Sequence, residues 1–345
     1  MKYLHGGDRY QNREMLDFSA NINPLGMPKG CMDAAIRGIS ESIYYPDYDG
    51  TDLVNELAKV EEINFDQIIL GNGAAELIYA ICYTLLPKKA LLAVPCFQEY
   101  EIALTNVDCK VDSYFLKRDL EYQLDDGFLD AISKDTDIIF LCNPNNPTGG
   151  LIKKELLVKI AKRCQECNTY LVLDECFLPF VEEETAISMK MELKKYSNLM
   201  VLRAFTKIYA MPGLRLGYLM SANIDMLKKI RSRMQPWNTS VPAQLAGLAA
   251  LKDRDFLIAT RQYIKRERIF LEKNLQSPFI QHIFEGHANF IFFEASSGLY
   301  QRFKENKMIL RDCSNFRNLE KGTYRIAIRT HTENERLVTV LQEEK

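Results

Sequence analysis

Arg203-Ala204-Phe205-Thr206-Lys207-Ile208-Tyr209-Ala210-Met211-Pro212-Gly213-Leu214-Arg215-Leu216-Gly217-Tyr218 closes an apolar run and sets an arginine eight residues beyond a lysine. Two earlier stretches belong to the same pattern. One is Asn143-Pro144-Asn145-Asn146-Pro147-Thr148-Gly149, and the other is the apolar strand Tyr170-Leu171-Val172-Leu173, which ends in Asp174. Taken singly, each has an ordinary reading: a lysine after a strand is commonly a solvated charge, and an aspartate at a strand end is commonly a helix cap. In order, and about thirty residues apart, an amide, a carboxylate and a lysine followed by an arginine form a set that chance rarely assembles.

The set suits pyridoxal 5'-phosphate. A lysine amine forms an exchangeable imine with an aldehyde, so Lys207 is the candidate to anchor the cofactor and then move protons. A carboxylate against the pyridine nitrogen keeps that nitrogen protonated, the part read for Asp174. Asn146 can donate its amide to the ring phenolate oxygen. Arg215, with Thr206, suits the phosphate, because a guanidinium fork matches its oxygens. Ile68-Ile69-Leu70-Gly71-Asn72-Gly73-Ala74-Ala75-Glu76 reads as strand, small-residue turn and helix start, where free amides and the helix dipole favour a phosphate. Gly73, Ala74 and Ala75 are the expected donors. After the strand Ala90-Leu91-Leu92-Ala93-Val94, Phe97 is the aromatic expected to lie on the ring.

Short apolar runs near 68, 90, 110, 138, 170, 199 and 215 alternate with helical segments, which predicts an α/β fold with a mostly parallel, helix-covered central sheet. The marked stretches fall at strand ends or in the loops that follow, where such sheets bind ligands. Beyond Pro236 a long amphipathic helix is expected from Phe256 to Leu275, followed by strands at 288–293, 308–311 and 324–329, a helix at 299–306 and a closing helix. These make a small α+β domain. The organisation expected is an N-terminal arm (1–40) contributing to the small domain and active site, a large cofactor domain (41–240), and a linking helix with the small domain (241–345).

With 44 basic and 46 acidic side chains and a pI near 6.2, the chain offers no electrostatic case for nucleic acid or membrane, and small molecules are the expected partners. No apolar run is long enough to span a bilayer, no signal peptide is visible, and nine cysteines without a disulfide framework point to reduced thiols. A cytoplasmic location is expected. Cys164 and Cys167 form a Cys-x-x-Cys late in a helix with no second pair, which reads as core filler, so no metal is expected.

The chain resembles the fold-type I pyridoxal-phosphate enzymes, in the aminotransferase class I/II branch, over nearly its whole length. Within that branch it is similar to the histidinol-phosphate aminotransferases and, more closely, to the threonine-phosphate decarboxylases of cobalamin biosynthesis. The closer likeness rests on His5-Gly6-Gly7, Asp17-Phe18-Ser19-Ala20-Asn21-Ile22-Asn23-Pro24-Leu25-Gly26, Gln235-Pro236-Trp237 and Ile309-Leu310-Arg311-Asp312-Cys313, followed by Tyr324-Arg325-Ile326-Ala327-Ile328-Arg329. Two positions depart from the aminotransferase pattern: Phe177 where a tyrosine is usual, which favours the decarboxylases, and Ala204 where a phosphate-binding hydroxyl is common. The resemblance implies decarboxylation of L-threonine O-3-phosphate, with transamination of histidinol phosphate or a related amino compound as the alternative. It also implies a homodimer in which Tyr45 reaches the partner subunit's cofactor phosphate. Arg325 would clamp the substrate carboxylate, Asn21 would lie in the substrate site, and His5 and Arg311 are the candidates for the substrate phosphate.

Overall fold

The computed structural model describes residues 6–7, 10, 12–296 and 298–342. Along the chain the strands begin with the short β1 (Leu16–Asp17). Then come β2 (Ile68–Gly71), β3 (Lys89–Val94), β4 (Lys110–Phe115), β5 (Ile138–Cys142), β6 (Tyr170–Asp174), β7 (Leu199–Ala204) and β8 (Gly217–Met220), which form a seven-stranded sheet in the order β2-β8-β7-β6-β5-β3-β4. Every residue of β5 and β7 is buried, as unbroken apolar runs require when helices cover both faces of a sheet. Parallel pairing joins β4, β3, β5, β6 and β7, while β8 runs against both of its neighbours.

This topology gathers the site. The carboxyl ends of the parallel strands face one edge, and the antiparallel β8 begins at that same edge. Residues that follow β3, β5 and β7 therefore meet a residue that precedes β8. Gly217 makes the convergence possible, because a Cβ there would stand 2.7 Å from the Ala74 nitrogen.

A second, four-stranded sheet has the order β12-β13-β10-β9, with β9 (Ile280–Ile283), β10 (Phe290–Ala295), β12 (Arg311–Asp312) and β13 (Thr323–Ala327). The single strand expected at 308–311 is two: β11 (Met308–Ile309) pairs with β1, whereas Arg311–Asp312 pairs with β13. Leu310, buried between them, is where the chain changes sheets. The long helix is Arg254–Asn274, capped by the Asp253 carboxylate accepting from the Phe256 amide at 3.2 Å. Cys164 and Cys167 are buried in the core from the helix Lys154–Cys167, and all nine cysteines are unpaired. No helix among the described residues is long and apolar enough to cross a membrane.

Candidate active site

At the edge where the strand ends meet lies a cavity of about 290 Å³. Its walls contain Ala74, Ala75, Phe97, Asn146, Asp174, Thr206, Lys207 and Arg215, all expected around the cofactor, and Asn21, Arg311 and Arg325, expected around the substrate. Gly73 stands just behind. Its φ of +77° suits glycine, and a Cβ there would fall 2.5 Å from Nη2 of Arg215, so the bare backbone lets the guanidinium lie against the turn. Tyr45 is not part of this chain's cavity wall; it is exposed and stacks on Trp237 with ring centroids 4.4 Å apart. His5 lies outside the described residues, although Gly6 beside it lines the cavity.

Asp174 is buried and both of its oxygens are engaged: the Tyr100 hydroxyl donates to Oδ2 at 2.6 Å and the Cys176 amide to Oδ1 at 2.9 Å. Burial raises its carboxyl above the ordinary value, and these two donors pull the other way. Burial also lowers the Lys207 amine, with Arg325 and Arg215 adding to the lowering, so a larger share of the amine is neutral than for a solvated lysine. Tyr100, stacked on Phe140 at 5.2 Å and edge-on to Phe97 at 5.5 Å, escapes a reading of the sequence. In a sequence it is an ordinary core aromatic of an amphipathic helix.

The arginines divide sharply. Arg325, buried, donates to Asn146 Oδ1 and to the Ser19 carbonyl at 3.0 Å, and lies over the Phe290 ring at 5.2 Å. Asn21, in the orientation that satisfies its amide, accepts from Nη1 and Nε of the same guanidinium at 3.2 Å. Arg311, also buried, donates to the Asp312 carbonyl and to Asn315 Oδ1 at 2.8 Å, over the Phe316 ring at 4.9 Å. Neither forms an ion pair among the described residues, and burial lowers the pKa of both, Arg325 to about 10. Behind the cavity, Arg203 is the opposite case. It pairs with Glu175 at 2.7 Å, Glu61 at 3.2 Å and Glu184 at 2.6 Å, and Glu61 also holds Lys190 at 2.9 Å.

The cavity thus sets four cations, Lys207, Arg215, Arg311 and Arg325, against one carboxylate, Asp174. It supplies each group that pyridoxal 5'-phosphate asks for: an amine, a buried carboxylate for the ring nitrogen, an aromatic face, and a glycine turn with a guanidinium against it for the phosphate. Asn146 Oδ1 is taken by Arg325, which leaves its amide Nδ2 as a donor toward the ring. The residues fit the cofactor and leave two arginines over.

The family model of aminotransferase class I and II matches residues 13–341. The threonine-phosphate decarboxylase of Salmonella typhimurium is 37% identical over 333 residues, covering 95% of this chain and 91% of that protein. Among solved structures, the histidinol-phosphate aminotransferase from Clostridium acetobutylicum superposes with a TM-score of 0.89 at 33% identity, over 95% of this chain and 98% of the other. The L-threonine-O-3-phosphate decarboxylase from Porphyromonas gingivalis gives a TM-score of 0.84 at 25% identity with the same coverage of 95% and 98%. The fold is that of the fold-type I aminotransferases.

Proposed function

Because the chain belongs to the aminotransferase class I and II family and is a pyridoxal-phosphate-dependent enzyme, we propose that it is a lyase that decarboxylates L-threonine O-3-phosphate to (R)-1-aminopropan-2-yl phosphate, a step of cobalamin biosynthesis. The observation that carries this reading is the pair of buried arginines without carboxylate partners among the described residues, Arg311 and Arg325. A buried cation without a counter-charge is costly unless a ligand supplies one. Threonine phosphate supplies two, a carboxylate for Arg325 and a phosphate for Arg311, with His5 proposed beside it.

When bound, the cofactor supplies an electron-accepting pyridinium ring conjugated to the substrate nitrogen. Asp174 would keep the proton on the ring nitrogen, and Tyr100 holds Asp174. Asn146 would donate toward the ring oxygen, Phe97 would pack against the ring, and Arg215, Thr206 and the amides of Gly73, Ala74 and Ala75 would hold the cofactor phosphate. Arg325 and Arg311 grip the two ends of the substrate, and that grip orients the bond between Cα and the carboxylate for cleavage. As carbon dioxide leaves, its bonding electrons stay with the organic fragment, and Lys207 returns a proton to Cα.

A second reading, transamination of histidinol phosphate, is favoured by the likeness to the Clostridium acetobutylicum structure. Histidinol phosphate has no carboxylate, so Arg325 would serve only the keto-acid half of that reaction. Incubation with L-threonine O-3-phosphate should release carbon dioxide and aminopropanol phosphate in equal amounts. Glutamate formed from histidinol phosphate and 2-oxoglutarate, with no carbon dioxide from threonine phosphate, would replace the first reading by the second.

The same reading includes a homodimer, the domain division at about residues 40 and 240, and a cytoplasmic location, which suits nine unpaired thiols. The support for the dimer is an exposed apolar stripe, Met32, Ile36, Ile39 and Ile43, running along and just past the helix Lys29–Glu41, with Tyr44, Tyr45 and Trp237 also exposed. Across such an interface Tyr45 would reach the partner subunit's cofactor phosphate. Sedimentation of Ile36→Asp with Ile39→Asp should give monomers if that stripe is the interface.

A further inference from the structure

Arg311 is fixed by an unusual choice of neighbour. Its Nη2 donates to Asn315 Oδ1 at 2.8 Å, and Asn315 is held in turn by the opposite side of the cavity mouth. Gln98 Nε2 donates to the Asn315 carbonyl at 2.7 Å, and Asn315 Nδ2 donates back to Gln98 Oε1 at 3.3 Å. Gln98 adjoins Phe97, and both line the cavity beside Arg311 and Phe316. A second cavity of about 340 Å³ lies outside this contact and shares Phe97, Gln98 and Phe316 as walls. Its own arginine, Arg317, is already paired with Glu101 and also donates to Ser113 at 2.8 Å.

A guanidinium that must meet an incoming anion has to be held in place without being neutralised. A carboxylate at position 315 would hold it equally well and cancel its charge; an aliphatic side chain would leave Nη2 unheld, with only the Asp312 carbonyl and the Phe316 face to fix the guanidinium. An amide does neither, because its oxygen accepts one hydrogen bond and carries no net charge. We propose that Asn315 is a specificity-determining positioning residue that aims Arg311, still charged, at the distal anion of the substrate and locks it to the Phe97–Gln98 turn. This rests on the assignment of Arg311 to the substrate phosphate made under the proposed function.

The test compares Asn315→Asp, Asn315→Ala and Arg311→Ala in the cofactor-loaded enzyme, through kcat and KM for L-threonine O-3-phosphate, competitive inhibition by inorganic phosphate, and thermal melting. If histidinol phosphate is the substrate turned over, the same split is read on that compound, so the identity of the reaction does not decide the matter. Asn315→Asp should raise KM by about ten-fold or more and weaken phosphate inhibition in parallel, with kcat within about three-fold and melting lowered only slightly, because the Asp still binds Arg311 but neutralises it, and gives up only the 3.3 Å donation to Gln98 Oε1. Asn315→Ala should raise KM less, by about three- to ten-fold. A residue that merely ties the loop would give a different pattern, with both variants neutral in KM and phosphate inhibition and both lower in melting temperature, since neither can donate to Gln98 Oε1. That pattern, alongside an impaired Arg311→Ala, overturns the role of Asn315 and leaves the phosphate assignment standing. An unimpaired Arg311→Ala overturns both.

Discussion

Arg203 and Arg311 are almost equally buried, at 4% and 6% exposure, yet they sit in opposite electrostatic worlds. Around Arg203, burial works against the charge, but Glu61, Glu175 and Glu184 outweigh it and push the guanidinium's pKa well above its ordinary value. Around Arg311 and Arg325 the partners are carbonyls and amides, so burial prevails and the pKa falls. The first region is complete in itself: it ties β7 to Glu175, the residue after β6 and next to Asp174 in the chain. In the proposed reading, the second is completed by the anions of a ligand. A buried charge that the fold already neutralises belongs to the frame, and one left without a counter-charge belongs to the function.

The largest expected effect tests the frame's purpose. Lys207→Ala should lower turnover by roughly 10²- to 10⁴-fold, the range for losing a positioned acid–base group, and should abolish covalent cofactor uptake. Borohydride trapping followed by peptide mass spectrometry checks the second point, and a cofactor trapped on any other single lysine would remove Lys207 from its role.

Next comes the contrast between the arginines. Arg203→Met leaves Glu61, Glu175 and Glu184 without their shared cation, and breaking a buried pair in this way costs about 3 to 5 kcal/mol. Denaturant unfolding should record that loss. Arg311→Ala removes a cation that has no ion pair among the described residues, so it should leave stability nearly unchanged, while weakening use of the phosphorylated substrate by about ten- to a hundred-fold. Equal destabilisation by the two substitutions would erase the distinction between frame and ligand site.

That distinction was only half legible in the sequence. The gathering of Asn146, Asp174, Lys207 and Arg215 could be anticipated because each stands at or within a few residues of a strand end, and strand ends leave a trace as apolar runs that stop. Arg203 left none: Glu61 lies 142 residues away and Glu175 lies 28 away, so only folding brings the cluster together. Tyr100 was hidden for the same reason, with its partner 74 residues distant. The split of 308–311 into β11 and β12 was invisible because a strand that changes partners keeps its apolar pattern. Tyr45, read from resemblance to reach a partner subunit's cofactor phosphate, lies outside its own chain's cavity, exposed and stacked on Trp237.

The smallest effect concerns Tyr100, whose hydroxyl donates to Asp174 Oδ2 at 2.6 Å from within the frame. Burial raises the Asp174 carboxyl above the ordinary 3.8, and the Tyr100 hydroxyl opposes that rise. In the cofactor-free protein the folded pKa therefore exceeds the unfolded one, and between the two values the folded state keeps a proton that the unfolded state has lost. The stabilisation is full below the unfolded pKa and is lost as the pH rises through the folded pKa. Tyr100→Phe removes one donor to the carboxylate, so the folded pKa rises further and the decline should extend to higher pH than in the wild type. With the cofactor present, the same loss should weaken its binding by about ten-fold, as expected of one hydrogen bond to a charged group. Unfolding free energies measured from about pH 4 to 7 on both cofactor-free proteins decide the matter, since the ordinary carboxylate lies at the bottom of that range. Curves that stay parallel throughout would mean that Tyr100 contributes packing against Phe140 and nothing to the charge of Asp174.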